Sequence, residues 1–189
     1  GRWGEGPSWA VEVSGDIVCC GGGANVIVAD ISDPARPLIR KRVLTKSTVR
    51  GLAIQGNYCY VANDLGGFMV IDIGTPSEAK IVAEMPFAGE DQWDVKVAGN
   101  YAYLAGDMLH IIDISDPSNP QKTGSFDIPG TGCIDGDLEG NLYYYAGVSK
   151  GMGIINVSDP AAPVAAGSYD GQGWIMGVEA QPQRCLIFS

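Results

Sequence analysis

Short apolar stretches alternate with polar, glycine-rich breaks along the whole chain, and the span from Trp93 to Asp127 shows the pattern most fully. In residues 94–99 (DVKVAG) apolar and polar positions alternate, as in a strand with one buried face. Gly99-Asn100 follows, a hairpin dipeptide in reverse order that tolerates positive φ. Residues 101–106 (YAYLAG) read as a second strand. Residues 109–114 form a nearly continuous apolar run, the sign of a strand covered on both faces. Ser115-Asp116-Pro117 turns the chain, since the Asp side chain can bond nearby amides and Pro fixes φ and lacks a donor. Residues 121–127 are more polar and suit an outer edge strand. Nothing in the unit has a helical period or helix caps.

The same unit recurs. VIVADISDPARP from Val26, FMVIDIGTPSEA from Phe68, LHIIDISDPSNP from Leu109 and MGIINVSDPAAP from Met152 align on Asp30, Asp72, Asp113 and Asn156, at steps of 42, 41 and 43 residues. A second marker is in phase with the first: Gly15, Gly56, Gly99 and Gly140, continued by Pro182. Four-stranded units of this length predict an all-β fold, a β-propeller of four-stranded antiparallel blades, with about four and a half blades present. The expected units are 9–49, 50–92, 93–133 and 134–174, with a partial unit at 175–189. The alternative, an open β-solenoid, is built from shorter repeats. The 27 glycines and 11 prolines fit many sharp turns. The first residues, GRWGEGPSW, resemble GSYDGQGW at 167–174, and the last fall in a second strand. The segment is therefore expected to belong to a longer chain whose ring holds about six to eight blades.

LHIIDISDPSNP, with the GNYAYLAG before it, resembles the LVIVD-repeat family, as do VIVADISDPARP and MGIINVSDPAAP. The resemblance covers essentially the whole chain. It implies a β-propeller in a bacterial or archaeal surface or secreted protein, hence an extracellular or cell-surface location, and brings no catalytic motif. The second unit departs from it with Gly74-Thr75-Pro76 and Ala79, and the fourth with Asn156; these departures are expected to weaken individual turns and leave the fold in place.

Charge narrows the partners. A net charge of −10 and a pI near 4.4 oppose binding to nucleic acid or anionic lipid, and no apolar run is long enough for membrane insertion by this segment. Five cysteines include no C-x-x-C pair, so no zinc or thioredoxin-type site is indicated. His110, the one histidine, lies in an apolar third strand and is expected to be structural. Gly147–Gly151 matches G-x-S-x-G but joins two predicted strands, where the motif requires a strand–turn–helix context. Residues 135–140 (DGDLEG) resemble the start of a calcium loop, but Ala146 stands where the twelfth-position acid belongs, and the stretch is in phase with VEVSGD as strand and turn. Asn156-Val157-Ser158 is a glycosylation sequon that replaces the repeat's Asp motif. No catalytic residue, metal or cofactor is expected.

The connections that enter each unit's first strand converge, in a radial array, at the mouth of a central channel. Trp9, Arg50, Trp93 and Trp174 stand near those entries, with Glu90, Asp91 and Asp94 beside them. Trp, Arg and Asp together suit recognition of a ligand or partner; large aromatics at blade starts equally wedge neighbouring blades together. Trp9, Arg50, Asp91, Trp93, Asp94 and Trp174 are the candidate binding residues. Two functions follow. One is a non-catalytic interaction or scaffolding module that binds a protein or small ligand at the channel mouth. The other is a propeller enzyme, a hydrolase or oxidoreductase subunit, with chemistry in the channel.

Overall fold

A computed structural model describes residues 8–130, 132–147, 151–171, 175–182 and 184–188 of the chain. Its strands form successive antiparallel sheets. The first holds β1 (Val11–Ser14), β2 (Ile17–Gly21), β3 (Asn25–Asp30) and β4 (Leu38–Leu44). The second holds β5 (Gly51–Gln55), β6 (Tyr58–Ala62), β7 (Phe68–Asp72) and β8 (Lys80–Met85). The third holds β9 (Gln92–Ala98), β10 (Tyr101–Gly106), β11 (Met108–Asp113) and β12 (Gln121–Asp127). The fourth holds β13 (Cys133–Glu139), β14 (Leu142–Gly147), β15 (Gly151–Asn156) and β16 (Val164–Tyr169). β17 (Gly177–Gln181) pairs with β18 (Arg184–Phe188) in a two-stranded piece. Within each sheet, spatial order follows chain order. Two 3₁₀ turns, Asp64–Gly66 and Pro76–Glu78, are the helical elements among the described residues. β9 and β13 start one residue ahead of the boundaries expected from the repeat.

The repeated residues explain the repeated geometry. Gly15, Gly56, Gly99 and Gly140 all take φ between 56° and 59° at the first central position of the hairpin joining first and second strands. The residue after each has negative φ, the arrangement of a type II′ turn, which glycine enters without a Cβ penalty. Each third strand ends on the marker acid, whose Oδ1 accepts a hydrogen bond from the amide two residues on: Asp30 from Ser32, Asp72 from Gly74, Asp113 from Ser115. Asn156 Oδ1 accepts in the same way from Ser158 N at 2.9 Å. The expected weakening at Asn156 is thus absent from this contact, because an amide oxygen accepts as a carboxylate does. In three units a second Asx contact follows, from Asp33, Asp116 and Asp159 to Ala35, Ser118 and Ala161. Thr75 takes that place in the second unit, and there the chain forms the Pro76–Glu78 3₁₀ turn instead. Every third-to-outer strand pairing carries an irregularity at one corresponding point, between Val28/Ala29, Val70/Ile71, Ile111/Ile112 and Ile154/Ile155. Such bulges add twist to each outer edge.

The core lies between sheets. Cys19, Val26 and Val28 of the first meet Leu52, Cys59 and Met69 of the second. Tyr60, Phe68 and Val70 meet Val95, Leu104 and Ile112. Tyr103, Leu109 and Ile111 meet Cys133, Tyr143 and Ile155, and Ala146 meets Ile175 and Val178. Sheets that bury both faces need continuous apolar third strands, which accounts for the runs seen in the sequence. The first strands stand side by side, β1 by β5, β5 by β9, β9 by β13 and β13 by β17. This is the radial packing of propeller blades: four blades and a two-stranded piece, their first strands around a common axis.

Candidate functional site

The axis opens as a cavity of about 490 Å3 lined by residues of or just before the first strands. Counting six residues back from each hairpin marker gives Trp9, Arg50, Trp93, Ile134 and Met176, and all five line it. They form the mouth layer. Glu12 and Lys96, three residues back from their markers, form a second layer, and Asp94 and Asp135 lie between.

Arg50 is the centre of the mouth layer. Its guanidinium carbon lies 5.1 Å from the centroid of Trp9 and 4.4 Å from that of Trp93. These are cation–π distances, and the two rings limit the side chain's freedom. Its Nε is buried without a hydrogen bond. The nearest acid, Asp64 Oδ1, is 3.7 Å from Nε, an ion pair too long to be a hydrogen bond.

Arg50 is delivered by a connection that Asn63, a fully buried side chain, holds from the β6–β7 loop. Asn63 Oδ1 accepts from the amides of Lys46 and Ser47 at 3.1 and 3.0 Å, and its Nδ2 donates to the Ser47 carbonyl at 2.6 Å. The Arg50 amide then donates to the Ala62 carbonyl at 2.9 Å. Asp64 takes φ 49°, which brings this loop back beneath Arg50. Neither Asn63 nor Asp64 was a candidate from sequence.

Asp94 is buried and serves as a joint between blades. Its Oδ2 accepts from the Gly136 amide of the next first strand at 3.1 Å and lies 3.1 Å from Lys96 Nζ. Asp135, its counterpart one blade on, accepts from the Val178 amide at 2.8 Å. Asp137 accepts from the Ala180 amide at 2.8 Å. Burial pulls the Lys96 ammonium down, but Asp94 and Asp135 outweigh it and its pKa is raised. Burial pushes the carboxyls of Glu12 and Asp135 up; nearby Lys96 lowers both and Asp94 raises both. Among the described residues no three His, Cys, Asp or Glu side chains group as metal ligands.

The remaining candidates fall elsewhere. Asp91 does not line the cavity; its amide donates to Asp107 Oδ2 at 3.1 Å and its carbonyl accepts from the Asp107 amide. Trp174 lies outside the described residues, and by register the fifth mouth position belongs to Met176, the residue six before the Pro182 marker. Ser149 of the G-x-S-x-G match is also outside the described residues. Residues 135–140 lie in β13 and the turn after it. His110 is fully buried, stacked on Phe87 with centroids 4.2 Å apart, and its Nε2 meets Glu90 Oε2.

The fold and its axial cavity define a β-propeller module with a polar, aromatic-rimmed channel. The chain belongs to the LVIVD repeat family, whose profile matches residues 5–45, 47–84, 89–128 and 137–171. No curated protein sequence matches it. Among solved structures it is similar to a protein of Bacteroides uniformis ATCC 8492 that carries a provisional 6-phosphogluconolactonase name, at TM-score 0.81 and 11% identity, covering 94% of this chain and 62% of that one. It is similar to the computationally designed Ika8 protein, at TM-score 0.77 and 13% identity over 95% of this chain and 54% of that one. A functionally unknown protein from Desulfotomaculum acetoxidans DSM 771 matches at TM-score 0.76 and 11% identity, over 92% of this chain and 59% of that one. These likenesses show the fold alone, and the chain spans between 54% and 62% of the length of the three proteins.

Proposed function

We propose that this chain is a non-catalytic interaction module of a secreted or cell-surface protein, binding its protein or small-molecule partner at the channel mouth. One observation carries the reading: Arg50 lies between Trp9 and Trp93 at the rim of a cavity, with its side chain still 21% exposed. A guanidinium held by two rings and partly open to solvent is set up to meet a group from outside the chain. The location rests on the family resemblance. Further blades are part of the proposal: Val11 and Val13, 63% and 56% exposed, occupy the sheet positions at which Leu52 and Ile54 pack against the preceding blade.

The second reading, an enzyme, is favoured by Lys96 lying between Asp94 and Asp135 in the cavity. Against it, both carboxylates are committed to amides of the next blade and Lys96 to Asp94, which leaves Glu12 as the uncommitted acid. The test is capture of the natural partner on immobilised protein, with Arg50→Ala and Trp9→Ala compared separately. Trp9 is 62% exposed, so its replacement leaves the blade interfaces intact. Loss of capture in both folded variants is the expected result; full capture by both refutes the mouth as the binding face.

A further inference from the structure

We infer that the ligand group received at the channel carries a single carboxylate, and that the acidic layer below Arg50 rejects ligands with a second negative charge. The inference rests on the channel mouth being the binding face. Two indoles stand 5.1 and 4.4 Å from the Arg50 guanidinium carbon, and the guanidinium's N–H groups all point outward at its edge. Its partners among the described residues are the two rings and Asp64, whose oxygen is 3.7 Å away. A carboxylate meets two parallel N–H donors of that edge with its two oxygens, and its single charge matches the single guanidinium. The indoles meanwhile wall the approach with apolar surface.

The filter lies deeper. Glu12 and Lys96 are three residues further along the first strands than the mouth residues, about 10 Å at the usual strand rise. Among the described residues Lys96 is the single cation there against Glu12, Asp94 and Asp135, and it is paired 3.1 Å from Asp94. A neutral or cationic tail below the carboxylate is accepted by this layer, and an amine is drawn to it. A second anionic charge on the tail is repelled, by about tenfold or more in affinity for one extra charge within about 10 Å of one unpaired carboxylate in a partly buried site. The cavity, about 490 Å3, has room for a ligand the size of an amino acid or short peptide end. The carboxylate can belong to a free small molecule or to a partner's chain end.

The test is calorimetric titration of the chain with ε-aminocaproate, hexanoate and adipate, whose second carboxylate lies at the far end of the tail. The expected order of affinity is ε-aminocaproate, then hexanoate, then adipate at about tenfold weaker. Arg50→Gln should abolish binding of all three. Arg50→Lys, which keeps the charge but not the planar fork, should still lose about tenfold. The double variant Glu12→Gln, Asp135→Asn should narrow the gap between adipate and hexanoate. The inference is overturned if adipate binds as tightly as hexanoate, if folded Arg50→Gln retains carboxylate binding, or if none of the three binds at millimolar concentration. A partner captured in an Arg50-dependent way but not displaced by ε-aminocaproate would leave the binding face standing and remove the ligand class. Displacement supports both, and loss of capture when the partner's C-terminal residue is removed assigns the group to a chain end.

Discussion

Replacing Gly51 with alanine tests how closely the first strands approach around the axis. A Cβ built on Gly51 stands 2.7 Å from Asp94 Cα and 2.9 Å from Val95 N, backbone atoms of the neighbouring blade. Ordinary contact between carbons is about 3.5–4.0 Å, so β5 and β9 must part by about 1 Å. No side chain can swing away to absorb this, and both strands are fixed by their own ladders. Overpacking of this kind costs about 1–3 kcal/mol, and backbone against backbone puts Gly51→Ala in the upper half of that range. For a chain of this size that is roughly a 5–10 °C drop in melting temperature. Gly56→Ala is the internal control: its φ is +59° and nothing lies within 4 Å of the new Cβ, so it carries only the left-handed backbone cost of about 1 kcal/mol. Thermal unfolding by circular dichroism separates the two, and tryptophan fluorescence should shift as Trp93 moves off Arg50. If Gly51→Ala melts with Gly56→Ala or above it, the close approach of the first strands is refuted.

Asn63→Ala strips the acceptor from two amides in the connection that delivers Arg50, with an expected cost of about 2–4 kcal/mol by chemical denaturation and weaker carboxylate binding in the variant that remains folded. Asp94→Ala leaves the Gly136 amide and the Lys96 ammonium without their shared acceptor and should cost about 2–3 kcal/mol, while Asp94→Asn, which keeps an acceptor oxygen, should recover part of it. His110 should make stability fall on acidification: burial holds its pKa below the ordinary 6.5 against the opposing pull of Glu90. Between the ordinary value and the lowered one, the unfolded chain takes a proton that the folded chain resists, so the contribution is present above pH 6.5 and lost as pH falls below it. His110→Gln should flatten the denaturation-midpoint profile across that window, and an unchanged slope would refute the assignment.

The blade count, the strand order and the hairpin and Asx turns were legible because each depends on residues adjacent in sequence. Gly15 and its counterparts sit at positive φ, and Asp30 and its counterparts bond an amide two residues away, so local chemistry repeated in phase was enough. The mouth layer was legible in part. Trp9, Arg50 and Trp93 share a register that the marker counting already contained, and the same count to Pro182 would have selected Met176 over Trp174. Asn63 was hidden because its partners, Lys46 and Ser47, lie in an earlier connection, and an Asn after a strand reads as an ordinary loop residue. Asp94 and Asp91 look alike beside Trp93, yet strand alternation turns Asp94 to the next blade while the bulge between Ala105 and Gly106 leaves Asp91 against Asp107. Only the assembled sheets distinguish them.

The joints made by Asp94, Asp135 and Asp137 are asymmetric: a side chain reaches from one blade, and the next answers with a main-chain amide. Every residue except proline carries that amide, so the receiving blade needs no matching side chain. A duplicated or exchanged unit can therefore make this contact by its backbone alone, while its apolar faces must still match those of its neighbours. The chain thus keeps assembly and recognition on separate alphabets. A blade exchanged over time meets its neighbours through these joints with one side chain in place of two, and each newcomer brings one new letter to the rim of the channel.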